Sequence, residues 1–524
     1  MSFDALRVES VGVRGADWEG GVREMGGETA AMILNPDTFR HYVEAFNRHD
    51  DEKVVNHIDN QHAWSWMKEN IPWFECPDKE VEEVYYYRWW AYRKHIKKTP
   101  EGFVVTEFLP PVDWAGTYNT INCAAGHHFY EGRWLRNGRH LEDYARFWLR
   151  GSGEQRRYSF WAADALWGFY LVQHGRDFLL DMLPDLVKNY EAWEVSNRGA
   201  NRLFWQMDEL DGMEFSIAGH GYRATINSYM YGDAVAISRI AALAGEDDLA
   251  AEYREKAAEI KGLVQRRLWD EEARFFKVLQ MDENRGELGL ADVRELHGYV
   301  PWYFNLPDPG YEEAWKQLVD PAGFYAKFGP TTAERRHPRF MFEHDHECLW
   351  NGPSWPYATT QTLVGLANLL NEYEQPYLGK SDYFELLKIY AKSQHMRLGD
   401  GRVIPWIDEN LHPDTGEWLA RAIMLEWQRP DKQADRGEHY NHSGYCDLII
   451  SGLAGLRPRS DDVIEVNPLL PEGTWDSFCL EGVPYRGRTL TVVYDRTGET
   501  YHKGAGLRIF ADGEEVTGRK GAVA

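Results

Sequence analysis

Two acidic clusters in this chain could supply the chemistry of glycosidic bond cleavage. The first is Glu438 in the stretch GEHYNHSG at residues 437–444, where a carboxylate stands beside an aromatic ring, an amide and a glycine. The second is the segment 208–214, which carries four acidic residues within seven positions. Cleavage needs one carboxyl group that protonates the leaving oxygen and a second that activates water or attacks the sugar. The two clusters therefore indicate a glycosidase, although Glu438 could instead be a loop carboxylate paired with an arginine.

Crowding of like charges gives the segment 208–214 a further property. Neighbouring carboxylates oppose each other's ionisation, so at least one pKa in the segment should be raised. A raised pKa suits a general acid that works near neutral pH. The alternatives are an exposed acidic loop or a calcium site, but the spacing does not match an EF-hand loop. We therefore predict an acid in this loop and expect no metal and no redox cofactor, with calcium as the alternative.

Aromatic residues are unusually frequent, with 22 Trp, 29 Tyr and 23 Phe. Aromatic rings can stack on the apolar faces of sugars, but they also fill the cores of large helical folds. Several lie beside polar segments, and we predict that these line a sugar-binding pocket: Trp64, Trp66, Tyr86, Trp89, Trp205, Trp350 and Trp355. Core packing is the alternative for each.

A histidine-rich stretch at residues 343–347, EHDHE, resembles a set of metal ligands. A zinc site on a helix needs imidazoles on one face, which an i, i+2 spacing does not give. Hydrogen-bonding loop residues are the favoured interpretation. The turn that follows, WNGPSWP at residues 350–356, opens a helix, because Pro356 fits a first helical turn.

The bulk composition excludes several partner classes. The chain has 524 residues, 83 of them acidic and 58 basic, and a net charge of -25. This balance argues against nucleic acid and anionic membranes as partners, since both require basic surface. Five scattered cysteines without a CxxC pair indicate neither a disulfide framework nor a zinc site. Neither a leader nor an 18-residue apolar run is visible, so we expect a cytoplasmic protein with a small carbohydrate substrate.

Hydrophobic periodicity predicts a mainly helical fold from about residue 36 to 456. Leu249, Tyr253, Ala257, Ile260, Val264 and Leu268 form one apolar stripe, and the helix before them, 224–244, carries little charge. A buried helix followed by an amphipathic one recurs at 160–193 and 355–394. Such pairs predict an (α/α)6 toroid, with a helical bundle or an α-solenoid as the alternatives.

The last sixty residues change to strand patterns, at 463–466, 489–494 and 507–510. Three or four strands are too few for an independent sandwich of ordinary size. We therefore predict a catalytic helical domain at residues 1–458 and a small β-appendage at residues 459–524 that packs on it.

The motifs resemble those of glycoside hydrolase family 63. Glu438-His439-Tyr440-Asn441 with Gly444 is similar to its glutamate-x-tyrosine-asparagine…glycine motif, 351–356 to its glycine-proline-x-tryptophan-proline motif, and 210–231 to its general-acid region. The resemblance is greatest to the small bacterial mannosylglycerate or glucosylglycerate hydrolases. It implies an (α/α)6 barrel that inverts the anomeric centre, with Asp211 as general acid and Glu438 as general base. The residues around Asp211 depart from the family pattern, which leaves Asp208 and Glu214 as substitutes.

The same resemblance implies that the other motif residues bind substrate: Gly212, Asn351, Gly352, Tyr440 and Asn441. The predicted function is an inverting, exo-acting α-glycosidase that removes a terminal glucose or mannose from a small glycoside. The alternatives are a rhamnosidase- or trehalase-type toroid glycosidase, a toroid sugar epimerase that uses His127, His128, His344 and His346, and a non-catalytic carbohydrate-binding protein.

Overall fold

A computed structural model describes residues 6–9, 32–427 and 433–517 of the chain. The α-helices in these residues are α1 (Arg40–His49), α2 (Asn60–Asn70), α3 (Lys79–His95), α4 (Ala125–Gly132), α5 (Arg139–Leu149), α6 (Ala162–Gln173), α7 (Arg176–Asn197), α8 (Ala224–Ala244), α9 (Asp247–Arg267), α10 (Val300–Tyr303), α11 (Pro356–Glu372), α12 (Lys380–Ser393) and α13 (Leu419–Trp427). Shorter 3₁₀ helices form at Pro36–Phe39, Thr117–Asn119, Glu209–Asp211, Leu296–Tyr299 and Glu312–Leu318. A π-helical segment, Leu448–Leu453, is called the closing helix below.

The strands are short except near the C-terminus. They are β1 (Leu6–Glu9), β2 (Trp73–Glu75), β3 (Ile96–Thr99), β4 (Gly102–Val105), β5 (Gly221–Tyr222), β6 (Trp269–Asp270), β7 (Phe275–Phe276), β8 (Leu279–Met281), β9 (Glu287–Leu290), β10 (His395–Arg397), β11 (Val403–Pro405), β12 (Leu456–Arg457), β13 (Val463–Val466), β14 (Ser477–Tyr485), β15 (Arg488–Asp495), β16 (Gly506–Ala511) and β17 (Glu514–Glu515).

Helices alternate between an outer and an inner ring, as the sequence predicts for an (α/α)6 toroid. The inner ring runs α4, α6, α8, α10, α11 and the closing helix, and consecutive members pack on one another. The outer ring runs α3, α5, α7, α9, the 3₁₀ helix Glu312–Leu318 and α12, which packs back on α3. The fold prediction is therefore confirmed.

The burial of each helix follows its sequence pattern. Helix α9 buries Tyr253, Ala257, Ile260 and Val264 along one stripe, whereas α8 is buried on nearly every face. A helix that is apolar all round belongs in a core, and one with a single stripe belongs at its edge. Among the described residues, none of these helices combines the length and the apolar character that crossing a membrane requires.

Buried hydrogen bonds close the inner ring between α4 and the start of the closing helix. The Glu131 carboxylate accepts the backbone N–H groups of Tyr445, Cys446 and Asp447 at 3.1, 2.9 and 2.8 Å. Asp447 in turn accepts Arg133 Nη2 at 2.8 Å and Trp134 Nε1 at 2.7 Å. The N–H groups at a helix start lack intrahelical partners, so Glu131 satisfies three of them.

The C-terminal strands form a β-appendage that packs on the barrel, and it includes strands from near the N-terminus. A five-stranded antiparallel sheet has the order β17-β16-β15-β14-β2, and a second sheet has the order β1-β13-β12. Strand β14 is missing from the sequence prediction, because it is buried on both faces and does not alternate. It packs on α6. The boundary at residue 458 stays a prediction.

The loops that run from an outer helix to the next inner helix hold most of the unusual sequences. They span residues 106–124, 150–161, 198–223, 268–299, 319–355 and 394–447. Because the inner helices start at one end of the ring, these six loops meet there, far apart in sequence but close in space.

Removing the charge of Asp447 tests the ring closure. Asp447→Asn leaves Arg133 buried without its counter-ion, and breaking such a buried pair costs about 3–5 kcal/mol in the free energy of unfolding. Urea titration followed by circular dichroism measures the loss. The matched control is Glu44→Gln in the exposed pair Arg40–Glu44, where the expected loss is below about 1 kcal/mol. Equal losses in the two variants would contradict the closure.

Candidate active site

Three glutamates from three different loops form one electrostatically coupled group, which we call the glutamate centre: Glu107, Glu214 and Glu409. Glu107 follows β4, Glu214 lies in the loop before α8, and Glu409 lies in the loop before the closing helix. Burial is the main cause of the raised pKa values of Glu107 and Glu214. The charge of Glu409 raises both further. The fold therefore brings together carboxyl groups about 300 positions apart in the sequence.

Glu214 has the properties of a general acid. Burial raises its pKa to about 7, with smaller contributions from the charges of Glu409 and Asp208. The Cys348 thiol lies 3.1 Å from Oε2 and opposes part of this rise by donating to the carboxylate. The Glu214 residue is only half-buried, so a substrate can reach it.

Glu409 is held by an arginine that it shares with another glutamate. Arg436 Nε lies 2.8 Å from Glu409 Oε1, and Arg436 Nη2 lies 2.9 Å from Glu347 Oε1. Burial opposes the charge of Arg436, but the two carboxylates outweigh burial and raise its pKa above its usual range. Its guanidinium also lies 4.7 Å from the ring centroid of Trp114. Glu409 thus has a fixed position and a permanent counter-charge.

Glu107 is the most deeply buried of the three and is tied to the motif at residues 438–441. Burial raises its pKa to about 8, and a hydrogen bond from Tyr440 opposes this rise. The Tyr440 hydroxyl donates to Glu107 Oε1, and Asn441 N donates to the Glu107 carbonyl at 3.0 Å. Tyr440 and Asn441, predicted to bind substrate, thus contact the glutamate centre directly.

Asp211 lies behind the glutamate centre in a closed ion pair. Its side chain is fully buried, Arg223 Nε lies 2.8 Å from its Oδ2, and the Thr225 hydroxyl donates to the same oxygen. Gly212 follows in the left-handed region at φ 71°, and a Cβ there would meet Cys123 Sγ at 2.4 Å. Only glycine fits this tight turn. The Asp211–Arg223 pair fixes the acidic loop against the start of α8.

Glu438 lies in a different cavity, of about 370 Å³. Burial raises its pKa, whereas the nearby cations Arg421 and Lys53 lower it. Lys53 also pairs with Asp435 at 2.7 Å. The cavity is lined by Asp50, Asp51, Lys53, Val54, Lys94, Leu109, Pro110, Asp435, Glu438 and His439. Asp211 is not among these residues, and the pairing of Asp211 with Glu438 stays a prediction.

Trp350 and Trp355 stack on each other at 4.5 Å between ring centroids, with an interplanar angle of 13°. Both are nearly buried, at 5% and 3% exposure. Trp350 lines a second cavity of about 210 Å³, with Met213, Ser216, Glu295, Leu296, His297, Thr332 and Ala358. The stacked pair therefore stabilises the loop before α11. Of the two rings, only that of Trp350 lines this cavity.

Four predicted wall residues lie outside the glutamate centre, which corrects the sequence prediction for them. Tyr86 and Trp89 are fully buried in α3, where Tyr86 contacts Phe39 and Trp73. The helix α2, which carries Trp64 and Trp66, packs on α3 on the outside of the ring. Trp64 contacts the core residue Trp73, and both Trp64 and Trp66 pack against the hydrophobic core.

The remaining predicted residues have structural contacts. The Arg285 guanidinium lies over the ring of Trp205, 4.2 Å from the ring centroid. Asn351 Nδ2 donates to the Phe342 carbonyl at 2.8 Å. Gly352 has a φ of 153°, and a Cβ there would meet Met341 Cγ at 2.5 Å. Asn351 and Gly352 thus shape the turn before α11 rather than contact the glutamate centre.

Two groups of side chains could gather metal ligands. Asp208, Glu209 and His220 form one, and Asp50, Glu438 and His439 form the other, with ligand atoms within 4.8 Å of one another in each. Asp208 already pairs with His220 at 2.9 Å. The calcium alternative for the acidic loop stays a prediction.

Sequence reasoning missed Glu107, Glu409 and Arg436. Glu107 stands alone after a strand, and Glu409 sits in a short Asp-Glu-Asn run without a recognisable motif. Glu347 belongs to the stretch 343–347, which the sequence analysis assigns to hydrogen-bonding loop residues. Their position in the chain is a signal that could have found them, because all of these residues lie on loops that precede an inner helix.

Comparisons with known proteins agree with this architecture. A solved structure of a protein named a sialidase matches 92% of this chain at 46% sequence identity, with a TM-score of 0.86, and this chain spans 44% of that protein. The Streptomyces avermitilis α-L-rhamnosidase, complexed with L-rhamnose, matches 85% of this chain and 38% of its own length at 14% identity, with a TM-score of 0.52. At that identity, the likeness concerns the fold alone.

Two family models match the sequence itself. The glycosyl hydrolase family 65 C-terminal domain matches residues 456–517. The mannosylglycerate hydrolase MGH1-like glycoside hydrolase domain matches residues 117–443 and so covers more than half of the chain. The chain therefore belongs to the MGH1-like glycoside hydrolases.

Proposed function

We propose that this glycoside hydrolase is an inverting, exo-acting glycosidase in which Glu214 is the general acid and Glu409 the general base. The observation that carries the proposal is the glutamate centre, where one carboxyl group is held near its protonated form and another is held against an arginine. Inversion requires two such groups with separate roles and a water between the base and the sugar.

The environment of Glu214 matches the role of the acid. A general acid must hold a proton at the working pH and release it to the leaving oxygen, and a pKa of about 7 permits both. The Cys348 thiol and the backbone contact from Trp350 N to the Glu214 carbonyl, at 3.0 Å, fix its orientation. Glu214 therefore protonates the glycosidic oxygen as the bond breaks.

The environment of Glu409 matches the role of the base. Arg436 pairs with Glu409 at 2.8 Å and holds its carboxylate in place, and a carboxylate held in this way can accept a proton from water. Arg436 donates to Oε1 at 2.8 Å and, over a longer distance of 3.4 Å, to Oε2, so Oε2 is the oxygen with more capacity to bind water. The two carboxyl groups can take different roles because their surroundings differ.

Asp211 and Glu438 remain the pair that the family resemblance implies. Both lie on the same two loops as Glu214 and Glu409, so the two assignments differ only in which residue of each loop reacts. The buried Arg223 neutralises Asp211 and excludes it from solvent, which favours a positioning role. The variants described below test both pairs.

The family and the enclosure of the site support a substrate class. The centre is mostly enclosed, with half-buried Glu214, Trp114 and Tyr158 at its edge, and an enclosed site suits one terminal sugar. Resemblance to mannosylglycerate hydrolases favours an α-linked glucose or mannose. A panel of 4-nitrophenyl glycosides that covers hexoses and pentoses in both anomeric forms identifies the sugar.

The epimerase alternative receives little support. Burial lowers the pKa of His127 to about 3 and that of His128 to about 4, so neither is suited to carry a proton near neutral pH. His344 lies apart from them and contacts Phe215 at 3.8 Å between ring centroids. The buried pair therefore does not provide the acid and base that epimerisation needs.

Leaving-group dependence identifies the acid. Glu214→Gln should lower turnover about 10²–10⁴-fold on a substrate with a poor leaving group, since general-acid catalysis contributes that much. It should lower turnover far less on a 2,4-dinitrophenyl glycoside, whose leaving group needs no protonation. Steady-state kinetics on both substrates measure the difference. If this pattern belongs instead to Asp211→Asn or Asp208→Asn, the acid is reassigned.

Product stereochemistry identifies the base and the mechanism. Glu409→Gln should lose about 10²–10⁴-fold on both leaving groups, because water must be activated in either case. Proton NMR during the first minutes of the wild-type reaction should show the anomer opposite to that of the substrate. A retained anomer excludes inversion, and full activity of Glu409→Gln combined with an inactive Glu438→Gln would transfer the role to Glu438.

The pH dependence of kcat/KM tests whether Glu214 is the general acid. Because Glu214 must be protonated to act, kcat/KM should fall as the pH rises through about 7. Cys348→Ala removes a hydrogen bond that favours the ionised form of Glu214, so this alkaline limb should move to higher pH. A limb that stays in place in Cys348→Ala would show that another group controls it.

A further inference from the structure

Glu107 carries a buried oxygen that receives no hydrogen bond from any described residue. The side chain is 5% exposed, and its Oε2 has no hydrogen-bond partner among the described residues. Its Oε1 receives the Tyr440 hydroxyl. Buried polar atoms are nearly always satisfied, so an unpaired one beside a reactive centre calls for a partner that arrives from outside the protein.

The position of Glu107 is fixed by the backbone around it. Asn441 N donates to its carbonyl at 3.0 Å, and Asn441 Nδ2 donates to the Thr106 carbonyl at 3.3 Å. The ring of Phe108 packs on that of Tyr440 at 4.5 Å. A carboxyl group held in this way offers Oε2 in a defined direction rather than as a mobile side chain.

The surroundings of Glu107 favour its neutral form. The titratable groups that interact with it are Glu214, Glu409, Tyr440, Tyr158, Tyr144 and Cys123. Burial and the charges of the two glutamates raise its pKa to about 8, so the group holds a proton at neutral pH. Because the Tyr440 hydroxyl already donates to Oε1, that proton belongs on Oε2.

We propose that Glu107 is a substrate-binding residue whose Oε2–H donates a hydrogen bond to an oxygen of the sugar in the glutamate centre. The proposal rests on the proposed function, because it takes that centre to be where the terminal sugar binds. A neutral donor there binds a sugar oxygen without adding a second negative charge beside Glu409. Ionisation of Glu107 removes the donor and weakens sugar binding.

The test measures sugar binding in a variant without the acid. In Glu214→Gln, the probe is the monosaccharide released from the 4-nitrophenyl glycoside that the wild-type enzyme cleaves fastest, titrated by calorimetry between pH 6 and 9.5. Binding should weaken about tenfold across a transition at or somewhat below pH 8, as loss of one hydrogen bond predicts. The transition lies on the low side because the uncharged amide that replaces the Glu214 carboxylate does not repel the ionised form of Glu107.

Two double variants distinguish the loss of a hydrogen-bond donor at Glu107 from a change in the shape of its side chain. Glu107→Gln with Glu214→Gln keeps an N–H donor that cannot titrate, so its affinity should be independent of pH and within about threefold of that of Glu214→Gln at pH 6. Glu107→Ala with Glu214→Gln should bind about tenfold more weakly at every pH. Thermal melts of both variants confirm that they are folded.

Tyr440→Phe in the Glu214→Gln background provides an independent readout. The Tyr440 hydroxyl stabilises the ionised form of Glu107, so its loss should move the binding transition to higher pH. This shift does not require Glu107 itself to be substituted.

Three results would overturn the proposal. They are pH-independent binding in Glu214→Gln, equal weakening by Glu107→Gln and Glu107→Ala, and no detectable binding of the monosaccharide at pH 6. The proposed function fails separately, when Glu214→Gln and Glu409→Gln keep full turnover, because the binding measurement needs no turnover.

Discussion

The whole site depends on the closure of the inner helical ring by Glu131 and Asp447. Glu131 accepts three consecutive N–H groups where the closing helix begins, and Asp447 pairs with Arg133 on α4. These contacts join segments more than 300 positions apart in the sequence. Since a buried charge without a partner is costly, the first and last inner helices have one favourable arrangement. Only this arrangement brings the six outer-to-inner loops to one end of the ring.

That convergence places several carboxyl groups where water is scarce, and their chemistry follows from it. Three ionised glutamates could not share such a site, because like charges repel strongly at low dielectric constant. Arg436 lies between Glu409 and Glu347 and balances their charge. Glu107 and Glu214 have no such counter-charge among the described residues, and they hold their protons to higher pH. In the mechanism that we propose, Glu409 is the base, Glu214 the acid and Glu107 the hydrogen-bond donor.

The motif at residues 437–444 contributes residues to two different parts of the structure. His439 has a left-handed φ of 59°, so the chain turns sharply between Glu438 and Tyr440. Glu438 lies in one cavity, whereas Tyr440 and Asn441 contact Glu107. Similarly, Asp211 anchors the acidic loop to Arg223 while Glu214, three positions later, reaches the centre. Each motif therefore holds a loop in place, and the segment 208–214 also carries more than one acid that could react.

The toroid could be predicted from the amino-acid sequence, because apolar periodicity is a local property. The apolar stripe of α9 indicates an outer helix, and the low charge of α8 indicates an inner one. The acidic clusters and short motifs are local too, so the class of chemistry and the two loops that carry Asp211 and Glu438 could also be predicted. The folded chain was needed to show that Glu107 and Glu409 join Glu214, and that Tyr86 and Trp89 pack in the core. Those outcomes depend on contacts between distant loops and on burial, which shifts pKa values by removing water. The contacts between these loops, and the burial of the carboxyl groups that results from them, leave no local pattern in the chain.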